Sequence, residues 1–220
     1  MISGIVVLIP ALLAATPHAS APTPEVAALV TRLARPAPAD TAYTEVRFVS
    51  VLKQPLMLHG ELHYGGATQL GKRVDEPYRE TTTIDAGKVE VRRAGKPAQH
   101  FSLERAPELK ALLAAFSALL GGDAATLANF YTVEGQQDGE RFTLTLTPRA
   151  AELAKHLRAV DVAGRGSEPL CFTMRQNDGD SSVMLLGPLA SAPLPAAPTP
   201  AALAGLCAGG DGENAAHQSP

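Results

Sequence analysis

The sequence predicts an α+β domain, a curled antiparallel sheet lidded by about three to four helices. Three observations predict it. Apolar and polar residues alternate at period two through most of the chain. Glycine-containing turns such as Gly65-Gly66, Asp85-Ala86-Gly87 and Asn177-Asp178-Gly179 separate these runs, at spacings too short for parallel crossovers. Blocks of helical period interrupt the strands, the clearest at 24–33 and 107–120. One sheet of about nine to eleven strands must curl, and its apolar face needs helices as cover.

The elements follow in order. Thr23-Pro24-Glu25 opens a helix with a capping hydroxyl, a proline at the first position and an acid in the first turn. Val26, Leu29, Val30 and Leu33 recur along it at helical spacing, and Pro36 and Pro38 end it. In the first strand Val46 and Phe48 share a face, with Glu45 and Arg47 opposite. In the second, Leu56, Leu58, Gly60, Leu62 and Tyr64 share a face, with Met57, His59, Glu61 and His63 opposite. Short strands are expected near 69–75, 81–84, 89–93 and 100–103. Leu109, Leu112, Leu113, Phe116, Leu119 and Leu120 then stripe a helix that Gly121-Gly122 closes. Asp123 caps a short helix expected to carry Leu127, Phe130 and Tyr131. Phe142, Leu144 and Leu146 mark a strand, and Thr147-Pro148 is expected to cap a helix bearing Leu153 and Leu157. Strands near 160–162, 170–174 and 182–186 complete the domain.

The ends differ in composition. Residues 1–21 form an apolar run with small residues after it, the pattern of a cleaved export signal, although no Lys or Arg precedes the run. Residues 22–187 are expected to form the folded domain. Residues 188–220 are mostly Ala, Pro and Gly and are expected to be a disordered tail. An exported chain could oxidise Cys171 and Cys207. Placing Cys207 in a disordered tail argues against a staple between them and leaves the pairing open.

Several function classes are disfavoured. Net charge is −3 and Trp is absent, so neither a basic nucleic-acid footprint nor a stacking platform is present. His59 and His63 suggest a metal pair, but on a strand they lie about 13 Å apart, beyond the reach of one ion. Ser181 and Ser182 sit beside Asp178 and Asp180 with no nucleophile elbow around them. Gly121-Gly122 ends a helix instead of opening one, so no phosphate loop is formed. The expectation is therefore a binding protein with no catalytic group, metal or cofactor. The helix at 107–120 carries few charges and many alanines, so it is shielded on more than one side. It is the candidate lid.

Local phrases in this order resemble the LolA-type periplasmic lipoprotein carriers. They are Tyr43-Thr-Glu-Val-Arg-Phe48 after the first helix, Gly60-Glu-Leu-His-Tyr64, a strand ending in Asp75-Glu-Pro77, Thr82-Thr-Ile-Asp-Ala-Gly87, and Leu146-Thr-Pro-Arg149. The resemblance covers roughly residues 24–187, and the chain looks closest to the divergent LolA-related branch. It implies a half-open β-barrel that carries acyl chains across the periplasm toward the outer membrane, with no metal and no covalent chemistry. The implied partners are a lipoprotein or other acylated lipid, an inner-membrane transporter and an outer-membrane receptor, with the carrier itself a monomer. The family's lid-latching Arg and its Trp are missing: the corresponding positions read Leu70, Gly71 and Lys72. Arg73 is displaced by two residues, which on a strand keeps the same face, so it is the candidate latch. Val46, Phe48, Leu58, Leu62, Tyr64, Leu112, Phe116 and Leu119 are the candidate cavity residues. The alternative is a non-catalytic envelope scaffold or sensor with a filled core.

Overall fold

The computed structural model of the chain describes residues 21–105 and 107–209, and within the helix after residue 106 the side chains at 107–109, 111 and 112 lie outside that description. The expected export signal, apart from residue 21, also lies outside the described residues. Helix α1 (Pro24–Arg32) begins as its sequence requires: the Thr23 hydroxyl accepts a hydrogen bond from the Val26 N–H at 3.4 Å. Six strands follow: β1 (Ala39–Phe48), β2 (Leu56–Gly66), β3 (Gln69–Glu76), β4 (Glu80–Asp85), β5 (Lys88–Arg93) and β6 (Gln99–Ser102). Helices α2 (Pro107–Leu120) and α3 (Ala124–Phe130) come next. The chain continues through β7 (Tyr131–Asp138), β8 (Arg141–Pro148), α4 (Ala151–His156), β9 (Leu157–Arg165), β10 (Glu168–Gln176) and β11 (Ser181–Leu186). A 3-10 turn at Gly187–Ser191 and helix α5 (Pro200–Cys207) close it.

All eleven strands form one antiparallel sheet in the order β6-β5-β4-β3-β2-β1-β11-β10-β9-β8-β7. The sheet is not closed into a barrel: β6 and β7 are its two edges. Its centre pairs the first strand with the last, with Tyr43 opposite Leu186 and Glu45 opposite Met184. The chain therefore walks outward from β1 to β6, crosses to the far edge, and walks back from β7 to β11. The crossing is made by α2 and α3, and this topology is what creates a lid. The buried Ala115, Ala118 and Leu119 of α2 join Leu58, Leu144 and Phe172 in the main core, so the crossing lies over one face of the sheet, here termed the inner face.

Local chemistry fixes the crossing. Gly122 ends α2 at φ 72°, a conformation that costs glycine little. Asp123 then caps α3 by accepting from the Thr126 N–H at 2.9 Å. Where α1 meets β7, an added Cβ on Gly135 would stand 2.9 Å from Val26, so glycine is what lets helix and strand approach. These contacts anchor one end of the inner face, and α1 contributes Val26, Leu29 and Val30 to the same core.

Several local expectations are corrected. Tyr131 opens β7 and does not continue α3, and Leu157 opens β9 and does not belong to α4. In both places an apolar residue at helical spacing is instead the first inward residue of a strand, buried at 0 % and 7 % exposure. Thr147 and Pro148 end β8, and the residue before α4 is Ala150, which makes no side-chain cap.

The larger correction concerns the C-terminal segment. Residues 188–209 are ordered, and Cys207 is disulfide-bonded to Cys171. The outer face of the central strands is apolar, with Val46, Cys171, Val183 and Leu185 all buried. Leu203 and Cys207 of α5 cover it, with Leu189, Leu194 and Leu206 packed around them. Alanine-rich composition alone reads as disorder, but here a few leucines meet a face that would otherwise be exposed. Each fully buried Leu or Val contributes about 1.5–3 kcal/mol. The Thr44 hydroxyl adds a hydrogen bond to the Ala190 carbonyl at 2.6 Å. Residues 210–220 lie outside the described residues.

Candidate functional site: an apolar cavity beneath the crossing helix

Strand period sets the inner face. From the pairing registers, Thr41, Tyr43, Glu45 and Arg47 of β1 lie in line with Leu62, Gly60, Leu58 and Leu56 of β2. Lys72 of β3 stands between Leu62 of β2 and Thr82 of β4. The main core fills the β7–β10 half of this face, but between α2 and the strands toward β4 a cavity of about 250 Å³ remains. Leu113, Phe116 and Leu120 of α2 roof it. Leu62, Tyr64, Leu70 and Ile84 line one side, and Phe172, Met174, Met184 and Leu186 the other. The Phe116 ring meets Phe172 edge-on, with centroids 5.2 Å apart and planes at 80°. Two methionines in the wall supply flexible, polarizable surface that can follow an irregular apolar guest.

A charged cluster adjoins this wall. Glu45 is buried to 1 % exposure and is held by both of its inner-face neighbours. Arg47 donates two hydrogen bonds to the carboxylate, at 2.8 and 3.1 Å, and the Lys72 ammonium donates another. Burial pushes the Glu45 carboxyl up, but the Arg47 hydrogen bond and the Lys72 charge outweigh it and hold it below its ordinary value of 4.5. Burial also dominates at Lys72 and lowers its pKa, against the opposing pull of Glu45. The ammonium sits 4.9 Å from the centre of the Tyr43 ring, a cation–π contact that fixes its position. Lys72 itself lines the cavity.

The candidate residues separate into groups. Leu62, Tyr64 and Phe116 meet in the cavity wall. Leu58 and Leu119 lie on the same face but are consumed by the packed core, at 0 % and 1 % exposure. Val46 and Phe48 are on the outer face, beneath the C-terminal segment. β1 does alternate at period two, but its apolar half points away from the cavity and the Tyr43-Glu45-Arg47 half points toward it. Leu112 lies outside the described side chains. Arg73 and Gly71 do share a face, as the two-residue shift requires, but it is not the inner one. Arg73 pairs with Glu61 and Asp75 on that other face and is half exposed. Its neighbour Lys72 faces the cavity instead. The tight spacing of one acid and two bases across β1 and β3 could have flagged this cluster only once the inner face of β1 was known.

His59 and His63 are engaged separately, His59 with the Thr44 hydroxyl at 2.8 Å and His63 with Asp40 at 2.7 Å. Among the described residues no group of three or more His, Cys, Asp or Glu is placed to hold a metal. No described helix is long and apolar enough to cross a membrane.

An open antiparallel sheet whose edges are joined by a helical crossing over an apolar cavity is the arrangement that the resemblance to LolA-type carriers implies. Residues 18–210 match the family described as outer membrane lipoprotein carrier protein LolA-like, and the chain belongs to that family. Among solved structures it is similar to the LolA superfamily protein NE2245 of Nitrosomonas europaea, at 11% identity over 78% of this chain and 94% of that one, with a TM-score of 0.41. It is also similar to LprF of Mycobacterium bovis, at 12% identity over 82% and 99% of the two chains, with a TM-score of 0.32. A third similar structure is the MucA/MucB complex of Pseudomonas aeruginosa, at 13% identity and a TM-score of 0.38; it covers 74% of this chain and 55% of that one. No curated protein sequence gives a significant match.

Proposed function

We propose that this protein is a periplasmic carrier that shelters the acyl chain of a lipoprotein or other acylated lipid beneath α2 and delivers it toward the outer membrane. The observation that carries the reading is the cavity of about 250 Å³ with a mostly apolar wall, to which Leu, Ile, Met and Phe residues make the largest contribution, beside a well-buried hydrophobic core. Apolar cavities stay dry and take apolar guests; one of ~150 Å³ suffices for benzene, and pockets for larger ligands begin near ~300 Å³. The volume suits one chain, not several. Burying ten methylenes would contribute about 8 kcal/mol before the entropy of association is subtracted. That is enough to hold an amphiphile and not enough to prevent its release.

Two further features support the setting. Membership of a lipoprotein-carrier-like family favours work in the cell envelope. A disulfide joining the C-terminal helix to the sheet persists in oxidising compartments such as the periplasm. In this reading the donor is an inner-membrane transporter and the acceptor an outer-membrane receptor, and the transfer needs no cofactor and no covalent step.

Titration with a fluorescent fatty acid tests the reading. We expect saturable one-to-one binding that is weakened at least tenfold by Leu62→Trp, which fills the cavity from β2. Absence of saturable binding by the folded protein, or binding indifferent to Leu62→Trp, would remove the cavity as the site.

A further inference from the structure

Charge is unevenly distributed around this cavity. Its described lining includes three basic residues, Arg35, His63 and Lys72, and no carboxylate, although the His63 side chain lies on the other face of β2, beside Asp40. Two of the three have a carboxylate to themselves. Arg35 makes a two-pronged pair with Glu168, at 2.9 and 3.1 Å, and His63 bonds Asp40. Lys72 differs, because it must share Glu45 with Arg47. Glu80, the next acid that Lys72 feels, is already paired with Arg93. One negative charge against two positive charges leaves the cluster with a surplus of one, next to an apolar chamber where a lone cation is poorly solvated. The ammonium also has donors to spare: it carries three N–H groups, and its one hydrogen bond to a described residue goes to Glu45. The Tyr43 ring holds the nitrogen in place, so any anion placed there would meet a pre-oriented donor.

We propose that the cavity is built for a single-chain amphiphile with an anionic oxygen headgroup, a carboxylate or a phosphate, that pairs with Lys72 while its chain lies beneath α2. The proposal rests on the reading of the cavity as an acyl-chain site and adds the headgroup to it. A neutral chain would fill the same space but leave the surplus charge unanswered. A cationic amphiphile would bring a third positive charge to the cluster.

Calorimetric titration of the full chain with four C12 probes, each below its micellar concentration, tests this: dodecanoate, dodecyl phosphate, methyl dodecanoate and dodecyltrimethylammonium. A charge-assisted hydrogen bond predicts that one or both anions bind about tenfold or more tighter than the methyl ester, and that the cation binds weakest. The two anions together distinguish a carboxylate from a phosphate head. Lys72→Met should erase the anion preference, so that within this variant the anions bind no tighter than the ester. Lys72→Arg, which keeps the charge, should restore it and shows that any loss is not misfolding. Equal affinity for the anions and the ester in the unaltered protein, or an anion preference that survives in Lys72→Met, would overturn the headgroup assignment while leaving the cavity as a chain site. Failure of all four probes would instead overturn the acyl-chain reading on which it rests.

Discussion

Phe116 of α2 stands edge-on against Phe172 of β10, with ring centroids 5.2 Å apart, and this contact joins the crossing helix to the floor of the sheet beside the cavity. The two partners differ in burial, since Phe172 is 6 % exposed and Phe116 only half-buried. Phe172→Ala should therefore cost about 3–5 kcal/mol in urea unfolding, as full core truncations do. Phe116→Ala should cost less, about 2 kcal/mol, since much of its ring faces the cavity. Its larger effect should be on ligand release, measured as a faster dissociation rate of a fluorescent fatty acid in stopped flow. Equal destabilisation by both variants, with release unchanged, would remove α2 as a lid.

The Glu45 cluster makes stability depend on acid. Its carboxyl titrates below the ordinary 4.5 in the folded chain, because Arg47 and Lys72 outweigh the cost of burial. A depressed folded pKa contributes stability that is fully present above the unfolded value and is lost as pH falls through the folded one. Urea midpoints should thus drop below about pH 4.5, more steeply for the unaltered protein than for Glu45→Ala. At neutral pH Glu45→Ala should itself cost about 3 kcal/mol, since it leaves two cations facing each other against an apolar wall. Identical acid profiles for the two proteins would show that the cluster contributes nothing to folding.

The bond between Cys171 and Cys207 closes a 36-residue separation and holds α5 on the outer face. Replacing both cysteines by serine should lower stability by about 2–4 kcal/mol. In hydrogen exchange the loss of protection should be largest over 187–209 and on β1 and β11 beneath, where Val46, Val183 and Leu185 lose their cover. Ligand affinity should change little, because the cavity lies on the other face. Uniform loss of protection across the whole sheet would contradict this separation of faces.

Much of the architecture could be read from the chain because it follows from local rules. Strand period, glycine turns and the Thr23 and Asp123 caps describe one residue and its near neighbours, and they placed α1 to α4 and all strands but β7, while α5 was hidden in a segment whose composition reads as disorder. Which face of a strand looks inward is a different kind of fact. Four successive residues of β1, Tyr43 to Val46, are all buried, because helices cover one face and the C-terminal segment the other. Period two then gives two buried faces and no way to rank them. Val46 and Phe48 were the natural choice by hydrophobicity, and Glu45 the natural surface residue. The disulfide-tethered segment reverses that, by giving the apolar face an outer partner and leaving the charged one to the cavity. Leu62 and Tyr64 were legible because the other face of β2 carries His59, Glu61 and His63, and Phe116 because the sparsely charged length of α2 had to be covered on more than one side. Lys72 was hidden because its role depends on a carboxylate 27 residues earlier in the chain.

Native mass spectrometry of the protein recovered from the periplasm of an expressing cell, followed by solvent extraction of the same sample, tests the central claim most directly. A carrier with this cavity should appear as a folded species with one added lipid mass, and the extract should contain the matching single acyl-chain compound. Leu62→Trp prepared in parallel should appear without it. A folded, unaltered protein that carries no added mass and acquires none when incubated with fatty acid would contradict the account.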